Sequence, residues 1–333
     1  MASVHGELFP SERPWQQIDK RSAEHYNKTH NIAVYCLKDR QYGRKDCIRL
    51  VMWNKFEAIK AKKAKKTYFG ANSYGVVKMD LKMDDKVAEK YKSNTQKIRV
   101  ITEQWVYNNL FCPYCGKAHI AHFENNRPVA DFYCPDCAEE YELKSKNGTI
   151  ESKINDGAYD VMIKRIVSIH NTNFFFMNYD KQDLCVKDFL MVPKYFFSPE
   201  IIERRKPLSD TARRAGWIGC NILLKQIPEE GRIFIVKNGI EIPQEEIITK
   251  VRRTGFIKQY NLDARGWVLD ILNCVNQIEG QDFNLEQIYK FEDVLSKKYP
   301  NNKHIKEKIR QQLQILRDKG IVEFRGKGYY RKI

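Results

Sequence analysis

The sequence predicts a mixed α/β or α+β core, preceded by a separate N-terminal region and followed by a helical module that ends in a β-hairpin. Two observations predict this order. Between about residues 81 and 258, helix-like segments alternate with strand-like runs such as "NFFFMNY" and "FLMVPKYF". After that, three amphipathic helix patterns precede two short strands around Gly326 and Gly328. The predicted domains are therefore residues 1–80, 81–258 and 259–333.

The composition is that of a globular protein with a basic surface. The chain has 333 residues, of which 42% are hydrophobic and 30% are charged, enough for two or three domains. No apolar run approaches the roughly 20 residues that a membrane span needs, and the N-terminus lacks a signal-peptide core. We therefore expect a cytoplasmic protein with no membrane partner. The net charge of +16 favours a polyanionic partner, most often nucleic acid, over an inert basic surface.

Residues 1–80 are predicted to form a separate region, and their sequence carries no catalytic motif. Two β-like runs, "NIAVYCLKD" and "CIRLVMW", precede a Lys-rich helical stretch and a segment broken by Gly and Asn. The lysines of this stretch could contact phosphates or could lie on a solvated helix face. They are Lys60, Lys62, Lys63, Lys65 and Lys66.

The predicted core begins with a long helix. Residues 83–110 contain no Gly or Pro, and their apolar side chains are spaced for one buried face. The segment "DGAYDVMIKRIVSIH" predicts a second helix, and "RIFIVKNG" predicts a strand after the two apolar ones. Helices and strands in this order indicate one sheet covered by helices.

Four of the nine cysteines form two Cys-x-x-Cys pairs, "CPYC" and "CPDC", which are eighteen residues apart. This spacing is typical of a four-cysteine zinc site, and a zinc ion held by four thiolates has no open position and is structural. An iron–sulfur cluster could use the same thiolates, and His119 or His122 could replace a ligand. The predicted zinc ligands are Cys112, Cys115, Cys134 and Cys137. The remaining cysteines, predicted to be small buried residues, are Cys36, Cys47, Cys185, Cys220 and Cys274.

Two carboxylates and a lysine flank the second cysteine pair. Glu142 and Lys144 are two residues apart, so on a strand they point to the same face. Asp131 precedes the pair, and an antiparallel hairpin with "CPDC" in its turn would bring the three side chains to one edge. Two carboxylates and a backbone carbonyl can hold Mg²⁺. The metal and Lys144 could then polarise an attacking water and offset charge that develops on a phosphate. Solvated strand residues show the same spacing, so the pattern alone is a weak indication.

A metal site in the turn would give such a hairpin rigidity. The hairpin must hold two repelling carboxylates in register, although its segment is polar and offers little apolar surface to bury. Metal binding contributes folding free energy to a segment that lacks a core of its own.

Three helices and a terminal hairpin form the winged-helix arrangement, a relative of the helix-turn-helix. We expect residues 262–333 to fold alone. In the third helix, basic side chains lie on a stripe roughly 100° from the apolar face, where a recognition helix contacts the major groove. A merely solvated basic helix is the alternative. The candidate DNA-binding residues are Lys303, Lys306, Arg310 and Arg317 in the helix, and Arg325, Lys327 and Arg331 in the wing.

These motifs resemble the DpnI restriction endonuclease family, which cuts DNA at adenine-methylated GATC sites. The resemblance covers roughly residues 85–333 and includes "FCPYCG", "HFENNRPVADFYC", "EEYELKSK", "INDGAYDVMIKR", "ARRAGWIGCNI" and "HIKEKIRQQLQILRDK". It implies a PD-(D/E)xK nuclease core with Asp131, Glu142 and Lys144 catalytic and Mg²⁺ as cofactor, structural zinc, and a winged helix that binds DNA. Ala130 stands directly before Asp131, where the family pattern has proline.

The resemblance also implies how the methyl groups are recognised. "TARRAGWIGCN" places Trp217 between Arg213, Arg214 and two glycines, where its ring could offer a flat surface to an adenine methyl group or be ordinary core. One buried methyl is worth only about 1 kcal/mol. Strong methyl dependence therefore needs two methyls recognised together, or recognition by both the catalytic domain and the winged helix.

The expected function is a type II, methyl-directed, site-specific deoxyribonuclease with Mg²⁺ as catalytic and Zn²⁺ as structural metal. Its expected partner is double-stranded DNA methylated at adenine N6. We expect it to act as a monomer with no small-molecule substrate. Two alternatives remain: a zinc-containing winged-helix regulator with an inactive nuclease core, and a nuclease with altered methyl dependence. The complete set of Asp131, Glu142 and Lys144 favours an enzyme.

Overall fold

The computed structural model describes residues 79–124, 130–149, 153–168 and 171–333, together with the backbone of two short strands near the N-terminus. Residues 1–77 and 78–333 form two compact units. In the first unit, β1 (Ile32–Ala33) pairs antiparallel with β2 (Trp53–Asn54). β1 lies inside the first predicted β-like run, and β2 begins at the last residue of the second, Trp53. The predicted Lys-rich helix and its five lysines, as well as Cys36 and Cys47, lie outside the described residues.

The described residues of the second unit up to residue 254 form ten strands and three helices. The strands are β3 (Ala121–His122), β4 (Phe132–Tyr133), β5 (Glu140–Asn147), β6 (Lys153–Ala158), β7 (Asn173–Asp180), β8 (Cys185–Val192), β9 (Ile202–Arg204), β10 (Gly219–Leu223), β11 (Ile233–Lys237) and β12 (Ile240–Glu241). The helices are α1 (Asn94–Asn109), α2 (Tyr159–Ile166) and α3 (Gln244–Thr254). Single 3-10 turns lie at Lys86–Ala88, Lys194–Phe196, Pro199–Ile201, Leu224–Gln226, Glu229–Gly231 and Gly255–Gln259.

These strands form two sheets. The larger has seven strands in the order β12-β11-β8-β7-β5-β4-β3, and only its central pair, β5 and β7, is parallel. The smaller has the order β6-β10-β9, with β10 antiparallel to both neighbours. This architecture confirms the predicted mixed core of sheet and helices.

The central strand β7 divides the core into two apolar layers because its side chains alternate between faces. Phe175 and Met177 belong to the cluster that includes residues of α1 and α3. Phe174 and Phe176 belong to the cluster on the other face, which includes residues of α2 and β10. Glu142 and Lys144 pair in register with these two phenylalanines, so β5 presents them on the same face as α2.

Two of the predicted helices are shorter than their sequence patterns. The first begins only at Asn94, after Ser93, and residues 86–88 form a single 3-10 turn. In the second, residues 153–158 pair with β10 as a strand, and α2 begins at Tyr159. The prediction of a helix from Asp156 was therefore wrong. Residues 156–158 pair with β10, and this tertiary contact overrides their helix-like pattern. The local sequence contains no signal for such a contact.

The C-terminal module contains four helices and a three-stranded sheet. The helices are α4 (Leu262–Gln277), α5 (Leu285–Tyr289), α6 (Glu292–Lys298) and α7 (Ile305–Asp318), and the strands are β13 (Asp282–Asn284), β14 (Val322–Gly326) and β15 (Tyr329–Lys332). The predicted second helix is divided in two, and a capping box between Asn284 and Gln287 fixes its start. β14 and β15 form the predicted wing. None of the described helices is long and apolar enough to cross a lipid bilayer.

The module packs on the mixed core of sheet and helices, and one continuous apolar cluster includes residues of both. Asn273 Nδ2 donates to the carbonyl of Gln226 at 2.9 Å, and Arg253 donates to the carbonyl of Ile333 at 2.9 Å. Trp267, which is 7% exposed, belongs to the shared cluster. Excising residues 262–333 would expose this apolar surface to water, and the folding of the module alone stays a prediction.

Candidate active site and four-cysteine metal centre

The predicted hairpin is formed by β4 and β5. The two strands are antiparallel, with Phe132 opposite Tyr141, and the cysteine pair "CPDC" lies in the turn. Asp131 stands one residue before β4, and its backbone N–H donates to the carbonyl of Tyr141 at 2.9 Å. Its side-chain Oδ2 accepts from the backbone N–H of Leu143 at 2.8 Å. The Asp131 carboxylate is therefore fixed against the backbone that lies between Glu142 and Lys144.

Glu142 and Lys144 contact each other directly. Lys144 Nζ lies 2.6 Å from Glu142 Oε1, and the side chains of Lys144 and Glu142 are 23% and 14% exposed respectively. The structure therefore brings the three predicted catalytic side chains to one edge of the hairpin. The Asp131 carboxylate accepts a hydrogen bond from the backbone of β5, and Glu142 and Lys144 form an ion pair. Their catalytic roles stay a prediction.

Two further charged side chains, which the sequence did not single out, complete this cluster. Asp156 on β6 forms an ion pair with Lys144, and Arg165 on α2 lies 2.5 Å from Glu142 Oε2. The Arg165 guanidinium also stacks over the Phe174 ring, 4.7 Å from its centroid. We call Glu142, Lys144, Asp156 and Arg165 the charged cluster. In this cluster Lys144 lies between the carboxylates of Asp156 and Glu142, and Glu142 lies between the cations of Lys144 and Arg165.

Burial sets the protonation of this cluster. Desolvation is the largest influence on Glu142 and raises its pKa, although Lys144 and Arg165 oppose it. Desolvation also disfavours the Lys144 ammonium, but the carboxylates of Glu142 and Asp156 outweigh it and raise the lysine's pKa. Lys144 is therefore charged at neutral pH and can act on an anion.

The donors of this site fit a hard divalent cation. Asp131 and Glu142 supply carboxylate oxygens, the ligands that Mg²⁺ prefers. Glu142 Oε2 is buried and makes no hydrogen bond of ordinary geometry, so its one close partner is the cation Arg165. These two carboxylates could hold such a cation.

The four predicted zinc ligands converge. The Sγ atoms of Cys112, Cys115, Cys134 and Cys137 all lie within 4.8 Å of one another, and within the described part of the chain no other group of three or more His, Cys, Asp or Glu side chains gathers in this way. Two cross pairs, Cys112–Cys137 and Cys115–Cys134, are 3.5 Å apart. Zinc–sulfur bonds of about 2.3 Å in a tetrahedron put sulfurs about 3.8 Å apart, so the cluster fits zinc.

The two histidines between the pairs are not part of this cluster. His122 lies on β3, and its ring packs 4.4 Å from that of Phe132. Of the other cysteines within the described ranges, Cys220 and Cys274 are buried as predicted, and Cys185 is half-buried. Burial raises the pKa of the Cys112 thiol to about 11. A metal ion must therefore displace protons from this site as it binds.

Polar contacts connect the four-cysteine cluster to the larger sheet. Tyr114, inside the first cysteine pair, donates to Asn173 Oδ1 at 2.8 Å at the start of β7. Asn173 Nδ2 in turn donates to Glu139 Oε2 and to the carbonyl of Glu140, both at 3.0 Å. Glu139 also contacts Lys194 and Lys258 at 3.0 and 2.9 Å. Because β5 begins at Glu140, these contacts fix the position of the four-cysteine cluster relative to the strand that carries Glu142.

The predicted base-recognition loop lies between β9 and β10. Arg213 and Arg214 are exposed, and Trp217 is half-buried. The Arg214 guanidinium lies over the Trp217 ring, 4.6 Å from its centroid. A Cβ atom at Gly219 would lie 2.8 Å from the edge of this ring, so the glycine makes room for it. Trp217 is thus only half-buried, and its ring packs against Arg214 and Gly219 of its own segment.

The predicted recognition helix is α7. Its buried face consists of Ile305, Ile309, Leu313 and Leu316, as the sequence indicated. Its basic candidates are exposed and paired with acids of the same module: Lys306 with Glu292 at 3.1 Å, Arg310 with Glu307 at 3.1 Å, Arg317 with Asp318 at 2.9 Å and, in the wing, Arg325 with Glu323 at 2.9 Å. Lys303 and Lys327 are also exposed, while Arg331, half-buried, pairs with Asp282 at 2.7 Å.

Comparison with known protein families agrees with this division. Residues 79–260 match the family model DpnI, described as the Dam-replacing family. Residues 263–332 match the model DpnI_C, described as the Dam-replacing HTH domain. The first match starts one residue after the second compact unit, and the boundary between the two matches lies at the start of α4. Because the first match alone covers more than half of the 333 residues, the chain belongs to the Dam-replacing, DpnI-type family.

Proposed function

We propose that the protein is a type II restriction endonuclease that uses Mg²⁺ to cleave double-stranded DNA at adenine-methylated GATC sites, with a PD-(D/E)xK active site. The observation that carries the proposal is the placement of Asp131, Glu142 and Lys144 on one hairpin edge, in a chain that also has a helix-turn-helix domain. The GATC site and the methyl group come from the family resemblance. A type II enzyme cleaves at its recognition site and needs no nucleotide cofactor.

Each side chain of the site has a distinct task. Asp131 and Glu142 would hold the ion, which when bound supplies a Lewis acid for the phosphate and lowers the pKa of a water. Lys144, charged and close to Glu142, would stabilise the negative charge that develops on the phosphate. Arg165, which pairs with the far oxygen of Glu142, opposes the rise in the Glu142 pKa that burial causes.

The metal requirement gives the direct test of this proposal. Purified protein is incubated with a plasmid that carries methylated GATC sites, either with Mg²⁺ or with EDTA. We expect discrete fragments with Mg²⁺ and intact plasmid with EDTA. A protein that binds the plasmid but leaves it intact under both conditions would instead be a regulator with an inactive core.

Methyl recognition by the core is proposed to use Trp217. The half-buried ring leaves part of a flat apolar surface exposed, and the adjacent Arg213 and Arg214 are exposed cations that could contact phosphates. A methyl group buried against an aromatic ring contributes about 1 kcal/mol, so one such contact gives modest discrimination. Larger discrimination requires that the winged helix also recognises a methyl group.

Removing the Trp217 ring should therefore reduce methyl discrimination. We expect Trp217→Ala to lower the ratio of cleavage rates on methylated and unmethylated duplexes by about fivefold to tenfold, as loss of about 1 kcal/mol predicts. Gly219→Ala should act in the same direction, because the added Cβ would displace the ring. Tyr107→Ala removes an exposed ring on α1 and serves as the control. Unchanged discrimination in both loop variants would rule out Trp217 as a methyl contact.

The winged helix is proposed to supply most of the DNA affinity. Its basic side chains pair with acids on the protein surface, and such exposed pairs contribute little and are easily exchanged for phosphates. We expect Lys306→Ala with Arg310→Ala to weaken DNA binding and to reduce the slope of log K against log salt by about two. Lys250→Ala, which breaks an equivalent exposed pair on α3, should leave the slope unchanged. An unaltered slope in the double variant would place the DNA on another surface.

A further inference from the structure

Asp156 is the second carboxylate partner of Lys144, and it comes from a different strand than the predicted catalytic residues. We propose that Asp156 is a positioning residue that holds the Lys144 ammonium in the active site when Glu142 turns to the metal ion. This inference rests on the proposed function, since it assigns a task within the same site.

The geometry makes Glu142 a shared carboxylate. Lys144 contacts its Oε1 at 2.6 Å and Arg165 contacts its Oε2 at 2.5 Å, so both oxygens already have a cation. To hold a metal ion, Glu142 would have to give up its contact with Lys144 or with Arg165. Lys144 can release Glu142 without becoming unpaired, because its ammonium also contacts Asp156.

Asp156 is suited to this task because its carboxylate is buried and its strand is paired. Its side chain is 6% exposed, the lowest value in the charged cluster. The backbone pairs with β10, with Asp156 opposite Cys220 and Asn155 opposite Asn221, and the register shifts only beyond Asp156, between Cys220 and Gly219. A buried carboxylate needs a cation, and Lys144 is the one that the structure places against it within the described residues.

The arrangement predicts what happens without this carboxylate. In Asp156→Asn, Lys144 would have Glu142 as its only carboxylate partner, so the ammonium would compete with the metal ion more strongly. The Lys144 ammonium would also move together with the Glu142 carboxylate and would no longer keep a fixed position relative to the phosphate. Two consequences are expected: weaker metal binding and slower chemistry, with DNA binding unchanged because no DNA contact is removed.

The experiment measures both quantities for Asp156→Asn. We expect kcat for cleavage of a methylated GATC duplex to fall about 10-fold to 100-fold with KM unchanged, the usual effect of removing a group that orients a catalytic ligand. Calorimetry with Ca²⁺ as the probe, a hard cation with the same oxygen preference, should show affinity about tenfold weaker. Glu203→Gln is the matched control, because Glu203 pairs with Lys153 of the same strand β6.

A double-mutant cycle distinguishes positioning from direct metal ligation. If Asp156 acts through Lys144, Asp156→Asn should not alter Ca²⁺ affinity when Lys144 is already Gln. If Asp156 were itself a ligand, the substitution would weaken Ca²⁺ binding equally in both backgrounds, and the proposal would be overturned. Wild-type Ca²⁺ affinity and kcat in Asp156→Asn would overturn it as well.

A charge-conserving variant separates the contact with Lys144 from the shape of the side chain. Asp156→Glu keeps the carboxylate and should restore part of both losses, whereas equal losses in the Glu and Asn variants would overturn the proposal. If Asp156→Asn does not fold, Asp156→Glu carries the test, and it should then show the same two effects at smaller size. If the wild-type protein binds Ca²⁺ but never cleaves DNA, the proposed function fails, whereas the Ca²⁺ cycle still tests the role of Asp156.

Discussion

Replacing Asp131 with Asn or Glu142 with Gln is expected to lower DNA cleavage by about 10³-fold or more while DNA binding persists. Each substitution removes a carboxylate oxygen that would hold the metal ion, and a catalytic metal contributes several kcal/mol to transition-state stabilisation. The winged helix, with its separate basic surface, is untouched. Asn at position 131 can still accept from the backbone N–H of Leu143, so the hairpin should keep its form.

Single-turnover cleavage and duplex binding measured on the same preparations check this expectation. Asp188→Asn is a matched control, because Asp188 on β8 also accepts from a backbone N–H at 2.8 Å, that of Asn238. Glu203→Gln controls for the loss of a paired glutamate. Cleavage near the wild-type rate in either active-site variant would mean that the hairpin carboxylates are not catalytic.

Breaking the cysteine cluster is expected to destabilise the core and remove activity together. Cys134→Ser should lose about one zinc ion per chain and several kcal/mol of unfolding free energy, since structural zinc contributes on the order of 10 kcal/mol to small domains. Activity should follow, because the clip lies in the turn between Asp131 and Glu142, and the contacts of Tyr114, Asn173 and Glu139 join it to the sheet.

Metal analysis, thermal unfolding with and without a chelator, and cleavage provide the three measurements. Cys185→Ser removes a half-buried cysteine outside the cluster and should retain zinc, stability and activity. A Cys134→Ser protein that lacks zinc but unfolds at the wild-type temperature would refute a structural role for the metal.

The features that the sequence predicted well are those set by short-range spacing. Two Cys-x-x-Cys pairs can close a tetrahedron whatever the rest of the chain does, and the four sulfurs indeed converge. Residues two apart on a strand share a face, which placed Glu142 beside Lys144. The apolar face of α7 followed from helical periodicity in the same way.

The features that the sequence did not predict depend on which segments meet in space. Asp156 lies in a stretch with helix-like periodicity, but pairing with β10 makes it a strand and turns its carboxylate toward Lys144. Arg165 lies in the part of the predicted helix that the structure retains, yet only packing of α2 against β7 brings it to Glu142. The shared core between the winged helix and the sheet is likewise a tertiary contact without a local signal.

Methyl-dependent cleavage is the most direct test of the whole account. One plasmid is prepared in two forms, with GATC adenines methylated on both strands and with none methylated, and each is incubated with Mg²⁺ and either wild-type or Asp131→Asn protein. We predict fragments that end at GATC sites from methylated plasmid with wild-type protein, and intact DNA in the other three reactions. Equal cleavage of both plasmid forms, or cleavage by the Asp131 variant, would contradict it.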